Sequence, residues 1–338
     1  MRPALVLLTI AAVGCTAVAG LDGLRFDGEG AGAAAGGAGG SAGGFGGSDS
    51  CPPEHAECND DPADGCEDLQ SDDDHCGRCD HSCAGAGCVG GRCRPEVLVS
   101  GELGVQGIAL SGEVLYWCNF LDDELLRIDL SAPGASPELV ASGFNGCAGV
   151  AIADGQIYFA AYFDDQIRRV PLSGGPSEVV VTDPGAGPHG ISLDATHLYW
   201  TSFDQQVVKR APRSDPTLVE QLYATGSGAT SVMANGPDLF WTTYEGGTVV
   251  HADGGGTVTQ VAAGQPQAFY LAVEGDQVFW TTRDESAPGG SRVQHASVNG
   301  GEVTVLAEDQ LGASGIALTP SHIYFATGSD GQIKRLPR

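Results

Sequence analysis

The sequence predicts an all-β fold: a six-bladed β-propeller of four-stranded blades, with a small disulfide-rich module in front of it. Three observations carry this. A pair of aromatics closing an apolar run recurs six times at a period near 40 residues. Short apolar stretches bounded by Gly and Pro turn signals separate the recurrences, with no helical periodicity between them. Eight cysteines fall within residues 51–93. A 40-residue unit of four short strands is the signature of a propeller blade, and it excludes barrel or doubly wound α/β folds.

The aromatic pairs are Tyr116-Trp117, Tyr158-Phe159, Tyr199-Trp200, Phe240-Trp241, Phe279-Trp280 and Tyr324-Phe325, spaced 42, 41, 41, 39 and 45 residues apart. Ten residues before each lies a small residue in five cases: Gly107, Gly149, Gly190, Ser231 and Gly315; Tyr270 is the exception. Each opens an apolar alternation that reads as the first strand. The aromatic run is the second. A third centres on Leu125, Ile167, Val208, Val249, Val293 or Ile333, usually with Arg, Lys or His close behind. A fourth follows a Gly or Pro turn, at residues 138–140, 178–181, 218–223, 258–261 and 302–306. The sixth repeat stops after its third strand. The missing strand is expected at the other end, where Pro95-Glu96-Val97-Leu98-Val99-Ser100-Gly101 matches Pro137-Glu138-Leu139-Val140-Ala141-Ser142-Gly143. Glu96–Val99 would complete the last blade and lock the ring, because an open ring leaves two raw sheet faces. The repeat resembles YWTD-type and NHL-like six-bladed propellers over residues 94–338, most clearly at residues 198–204 (Leu-Tyr-Trp-Thr-Ser-Phe-Asp). It departs at the motif Asp, where Asn119, Ser202, Thr243 and Thr282 stand. The resemblance implies the fold and an extracellular binding role; fold alone does not give function.

Residues 1–19 read as a signal peptide: Arg2, an apolar stretch of about ten residues, and two cleavage options. Residues 12–15 resemble a lipobox with Cys15 as the lipidated residue, whereas Ala17-Val18-Ala19 is an A-x-A site that would release a secreted product. Residues 20–50 form a Gly-rich tether, too poor in apolar side chains to build a core. The expected place is the cell envelope, with an outer-membrane lipoprotein exposed at the surface preferred over free secretion.

In the module, Cys51, Cys58, Cys66, Cys76, Cys79, Cys83, Cys88 and Cys93 are expected to form four disulfides, whose connectivity spacing does not reveal. Cys76-x-x-Cys79 has zinc-ligand spacing, but no second such pair accompanies it. The run from Asp61 to Cys79 resembles Cys-rich modules of surface proteins from myxobacteria and related delta-proteobacteria, which implies an extracellular module without an activity. Its carboxylates (Asp60, Asp61, Asp64, Glu67, Asp68, Asp72, Asp73, Asp74) offer hard oxygen ligands for weak calcium binding, although the EF-hand template fails. The other reading is a solvated acidic loop.

A net charge of −27 excludes nucleic acid and a polybasic membrane patch, leaving a lipid anchor as the membrane contact. Cys118 and Cys147 fall at the same end of neighbouring blades and are expected to pair. Three residues past the anchors stand Phe120, Tyr162, Phe203, Tyr244 and Arg283. With His189 they form a candidate ligand face, where the rings either stack on a partner or pack between blades. The inner positions Gln106, Ala148, His189, Thr230, Phe269 and Ser314 hold one His and no carboxylate, so no metal, cofactor or catalytic residue is predicted. The expected function is non-catalytic binding of an extracellular protein or glycan. The alternatives are a propeller enzyme (lactonase, lyase or hydrolase-like) and a structural surface protein.

Overall fold

The computed structural model describes residues 51–59, 65–182 and 184–338. Cys15, the signal peptide, the tether and Asp60, Asp61 and Asp64 lie outside the described residues.

Six four-stranded antiparallel sheets form the propeller. Blade 1 runs Val105–Ser111, Val114–Asn119, Glu124–Asp129, Glu138–Ser142, from axis to rim. Blade 2 runs Cys147–Ala153, Gln156–Ala161, Gln166–Pro171, Glu178–Val181, and blade 3 Pro188–Leu193, His197–Ser202, Val207–Pro212, Glu220–Ala224. Blade 4 runs Ala229–Asn235, Asp238–Thr243, Thr248–Ala252, Val258–Ala262, and blade 5 Ala268–Glu274, Gln277–Arg283, Ser291–Ser297, Thr304–Ala307. Blade 6 takes Ala313–Leu318, His322–Thr327 and Gln332–Pro337, and its rim strand is Glu96–Ser100 from the other end of the domain, in register Ile333↔Val99 and Arg335↔Glu96. The predicted closure is therefore the observed one. Two rim strands begin later than their sequence suggests. Blade 3 starts at Glu220 because Leu218 is held in a turn by its N–H bond to the Asp215 carbonyl, and blade 5 starts at Thr304, after the turn at Gly300 and Gly301.

The second strands are buried on both faces, since each blade is sandwiched between its neighbours. Trp117, Trp200, Trp280, Phe159 and Phe325 are fully buried, as is the third-strand residue in every blade from Leu125 to Ile333. Each inner strand carries a bulge near its start. There the inner strands approach one another around the axis. A Cβ on Gly107, Gly149, Gly190 or Gly315 would fall within 2.1–2.7 Å of the next blade's backbone, which is why the small residue recurs. At the rim a second pattern runs across three strands. Tyr116, Tyr158, Tyr199 and Tyr324 each face an Arg on the third strand (127, 169, 210, 335), which pairs with Glu138, Glu178, Glu220 or Glu96 on the rim. In blades 4 and 5 the aromatic is Phe, stacked on His251 or His295, and the rim residue is Thr259 or Thr304.

All eight module cysteines pair: Cys51–Cys66, Cys58–Cys79, Cys76–Cys88 and Cys83–Cys93. The described carboxylates brace the module's own loops. Asp73 accepts the Gly85 and Gly87 N–H groups, Glu67 that of Cys58 and Asp68 that of Gln70. Cys76, Cys83, Cys88 and Cys93 join the apolar cluster of blades 5 and 6, and Arg92 pairs with Glu308.

Candidate functional site

Rim-to-inner connections and second-to-third-strand turns fall at one end of every blade, and this is the predicted face. The Cys118–Cys147 disulfide stands there, joining blades 1 and 2 with both cysteines fully buried. Phe120, Tyr162, Phe203 and Tyr244 are brought together as expected. Ring centroids step from Phe120 to Tyr162 (5.8 Å), from Tyr162 to His189 (6.0 Å), from His189 to Phe203 (6.3 Å) and from Phe203 to Tyr244 (6.2 Å). Arg283 ends the arc, its guanidinium 4.6 Å over the Phe269 ring.

The rings are half-buried, and glycines seat them. A Cβ on Gly187 or Gly228 would meet the Tyr162 or Phe203 ring at 2.9 and 2.5 Å. The rings pack between blades, one of the two sequence readings, and leave part of each ring exposed at the surface. Phe269 and Tyr270 are the residues that sequence reasoning left out of the site. They occupy the bulge of blade 5, reach toward the axis and contact His189 at 5.3 and 5.5 Å. The one non-small residue in the repeat at that position was the available signal. His189 is buried. Its Nδ1–H donates to the Thr230 carbonyl at 2.7 Å, so the proton sits on Nδ1. Burial pushes its pKa down to about 4, against the Thr230 hydrogen bond and with Arg283 adding to the fall. The ring is neutral and plugs the channel. Burial also raises Tyr270, and raises Tyr162 to about 12, the latter with help from Asp204, whose Oδ1 accepts the Tyr162 hydroxyl at 3.2 Å.

Carboxylates brace the entry loops here. Asp123 accepts the Gly146 N–H (2.6 Å), Asp165 that of Gly187 (2.9 Å) and Glu245 that of Gly228 (2.7 Å). Beside the arc, around blades 6, 1 and 2, four large apolar side chains are exposed: Leu103 at 56 %, Leu121 at 67 %, Phe163 at 65 % and Leu311 at 51 %. Phe163 touches both Phe120 (5.3 Å) and Tyr162 (5.1 Å), so the apolar sector is continuous with the arc. At the other end of the axis a cavity of about 340 Å³ is lined by Ile108, Val150, Ile191, Met233, Val273 and Ile316 from the six inner strands. Asp194 and Glu274 lie at that end, Asp194 just past the inner strand of blade 3 and Glu274 closing that of blade 5. Burial works to raise Asp194, but the Tyr199 hydroxyl and the Thr196 and His197 N–H groups outweigh it and bring it to about 2.

Three solved structures show the same architecture. The nidogen/laminin complex aligns at TM-score 0.52 and 17% identity, over 59% of this chain and 77% of the other. A catalytically inactive virginiamycin B lyase from Staphylococcus aureus with quinupristin aligns at 0.56 and 14%, over 72% and 98%. A gluconolactonase from Xanthomonas campestris aligns at 0.58 and 12%, over 72% and 89%. No family model and no curated protein matches the chain. At these identities the likeness is one of fold, and it spans enzymes and a binding protein alike.

Proposed function

We propose that this chain is a non-catalytic binding protein of the cell envelope, and that its Cys118/Cys147 face holds a protein partner through an apolar segment carrying basic residues. The observation that carries this is the sector of Leu103, Leu121, Phe163 and Leu311, exposed together beside the half-buried ring arc. Apolar side chains grouped at one end of a domain mark an interaction surface more often than isolated ones do. Exposed carboxylates surround it, with Asp122, Asp204, Glu245 and Glu285 on the adjoining turns, and these favour a cationic partner. A glycan is the second reading, favoured by the run of neighbouring rings on which sugars could stack. Against the enzyme alternative stands the donor set. The channel mouth offers one neutral histidine, already committed to the Thr230 carbonyl and closed over by Phe269 and Tyr270. The ten paired cysteines favour an oxidising compartment. Lipidation at Cys15 remains part of the proposal, with the Gly-rich tether as spacer.

The test uses Leu121→Glu with Phe163→Glu, two exposed positions whose substitution leaves the core intact. Tagged protein is incubated with cell-envelope proteins and, separately, with envelope polysaccharide. Saturable protein binding that is lost in the double variant, at an unchanged melting temperature, supports the reading. Polysaccharide binding that instead depends on Tyr162 and Phe203 moves the assignment to the glycan. Protein binding indifferent to the double variant removes this face from the account.

A further inference from the structure

A large cleft in the described structure lies away from that face. It lies between the cysteine-rich module and blades 5 and 6, and it encloses about 740 Å³. Charge is sorted there. The module segment 51–93 contains two basic residues, Arg78 and Arg92, and eleven carboxylates. Both arginines line the cleft, and none of the module carboxylates does. The propeller wall adds Arg338 and His295, with Glu302 as its one carboxylate. In a chain of net charge −27, three arginines meeting in one cleft is a local reversal of sign.

The cations differ in how far they are engaged. Arg92 pairs with Glu308 and Arg338 with Glu274 at 2.5 Å, the latter guanidinium lying 5.0 Å over the Phe279 ring. Arg78 is exposed and makes no ion pair among the described residues. Burial, then the charges of Arg338 and Arg78, hold His295 below the ordinary imidazole range, and all three side chains line the cleft. The rest of the lining is what a sugar needs. Gln70, Gln277 and His81 offer hydrogen-bonding groups, and Leu306, Ile323 and Leu336 form an apolar wall.

We infer that this cleft is a binding site for a carboxylate-bearing saccharide, with Arg78 gripping the carboxylate and Arg338, held by Glu274, adding positive charge to the same lining. A planar guanidinium fork matches a carboxylate through two parallel hydrogen bonds. Blade 5 is suited to the task because its rim carries Thr304 opposite His295, whereas four other blades place a Glu at that position. That Glu would claim the third-strand cation and repel an anion. The site is independent of the aromatic face, which lies on other loops.

The experiment is calorimetric titration of the purified full chain with digalacturonate, a hyaluronan tetrasaccharide and N-acetylneuraminate, with cellobiose as the neutral control and octanoate as the non-sugar carboxylate. At least one acidic saccharide should bind saturably, more weakly as salt rises, with no comparable signal for cellobiose or octanoate. Arg78→Ala should cost about tenfold or more in affinity, and Arg78→Lys should recover part of it. Arg78 is exposed, so thermal unfolding of this variant should match the parent; Arg338→Ala is the second variant, read only at temperatures where it remains folded. Failure of all three acidic saccharides, equal binding of cellobiose, preference for octanoate, or affinity indifferent to Arg78→Ala would each overturn the inference.

Discussion

Axis and rim of the same six blades are held by different physics. At the axis, Gly149 and Gly315 stand where a Cβ would fall 2.2 and 2.1 Å from the neighbouring blade's carbonyl oxygen. At the rim, Arg127, Arg169, Arg210 and Arg335 reach carboxylates that are at least half exposed. The axial contacts are backbone against backbone, with nothing flexible to yield, and close-packed interiors do not absorb added volume. The rim pairs sit in high dielectric, where an ion pair contributes little. The rim can consequently vary, as blades 4 and 5 do with Phe, His and Thr, while the axis keeps its small residue in five blades. The exception is blade 5, where Tyr270 takes that position with its ring 5.5 Å from that of His189.

The largest effect is expected at the axis. Gly149→Val forces a branched side chain into the His189 carbonyl and should cost on the order of 3–5 kcal/mol, read as a shifted urea midpoint or loss of soluble protein. A variant as stable as the parent would show that the inner strands can part, and the contrast would collapse. A second, smaller effect reads the plug. His189 titrates near 4 when folded against 6.5 for the free side chain, so the unfolded chain binds the proton first. Stability should therefore fall as pH drops from about 6.5 to about 4, by about 3 kcal/mol from this group. Asp194 does not confuse that window, because its contribution is lost only as pH falls from 3.8 toward about 2. Denaturation midpoints at about pH 7 and about pH 4 should differ less in His189→Gln than in the parent; an identical difference would mean that water reaches the ring. The smallest effect belongs to the rim. Glu220→Ala should cost under about 1 kcal/mol and vanish at high salt. A larger, salt-resistant loss would mean that the rim ladder is structural rather than permissive.

Much of this was readable along the chain because a repeat samples the same environment six times. The aromatic pairs, the small residue ten positions before them and the displaced strand at Glu96 are each local patterns, and each found its place. The site was half legible. Phe120, Tyr162, Phe203 and Tyr244 share one offset from the anchor, so a common face followed from topology. The exposed sector did not: Leu103, Leu121 and Leu311 look like any loop leucines until the fold sets the loops that carry them at one end of the propeller. Nor did the plug, because Phe269 and Tyr270 act from blade 5 on a histidine of blade 3, across the axis.

By itself, then, the sequence determined the blade count, the strand order, the closure of the ring and which cysteines would be oxidised, since all of these rest on periodicity and local composition. Which cysteine meets which was left to the tertiary structure, because eight thiols within 43 residues permit many chain paths and only packing selects one. The docking of the module on blades 5 and 6 was decided there too. It depends on which surface of the finished propeller is apolar enough to receive it, and no local pattern in either segment encodes that match.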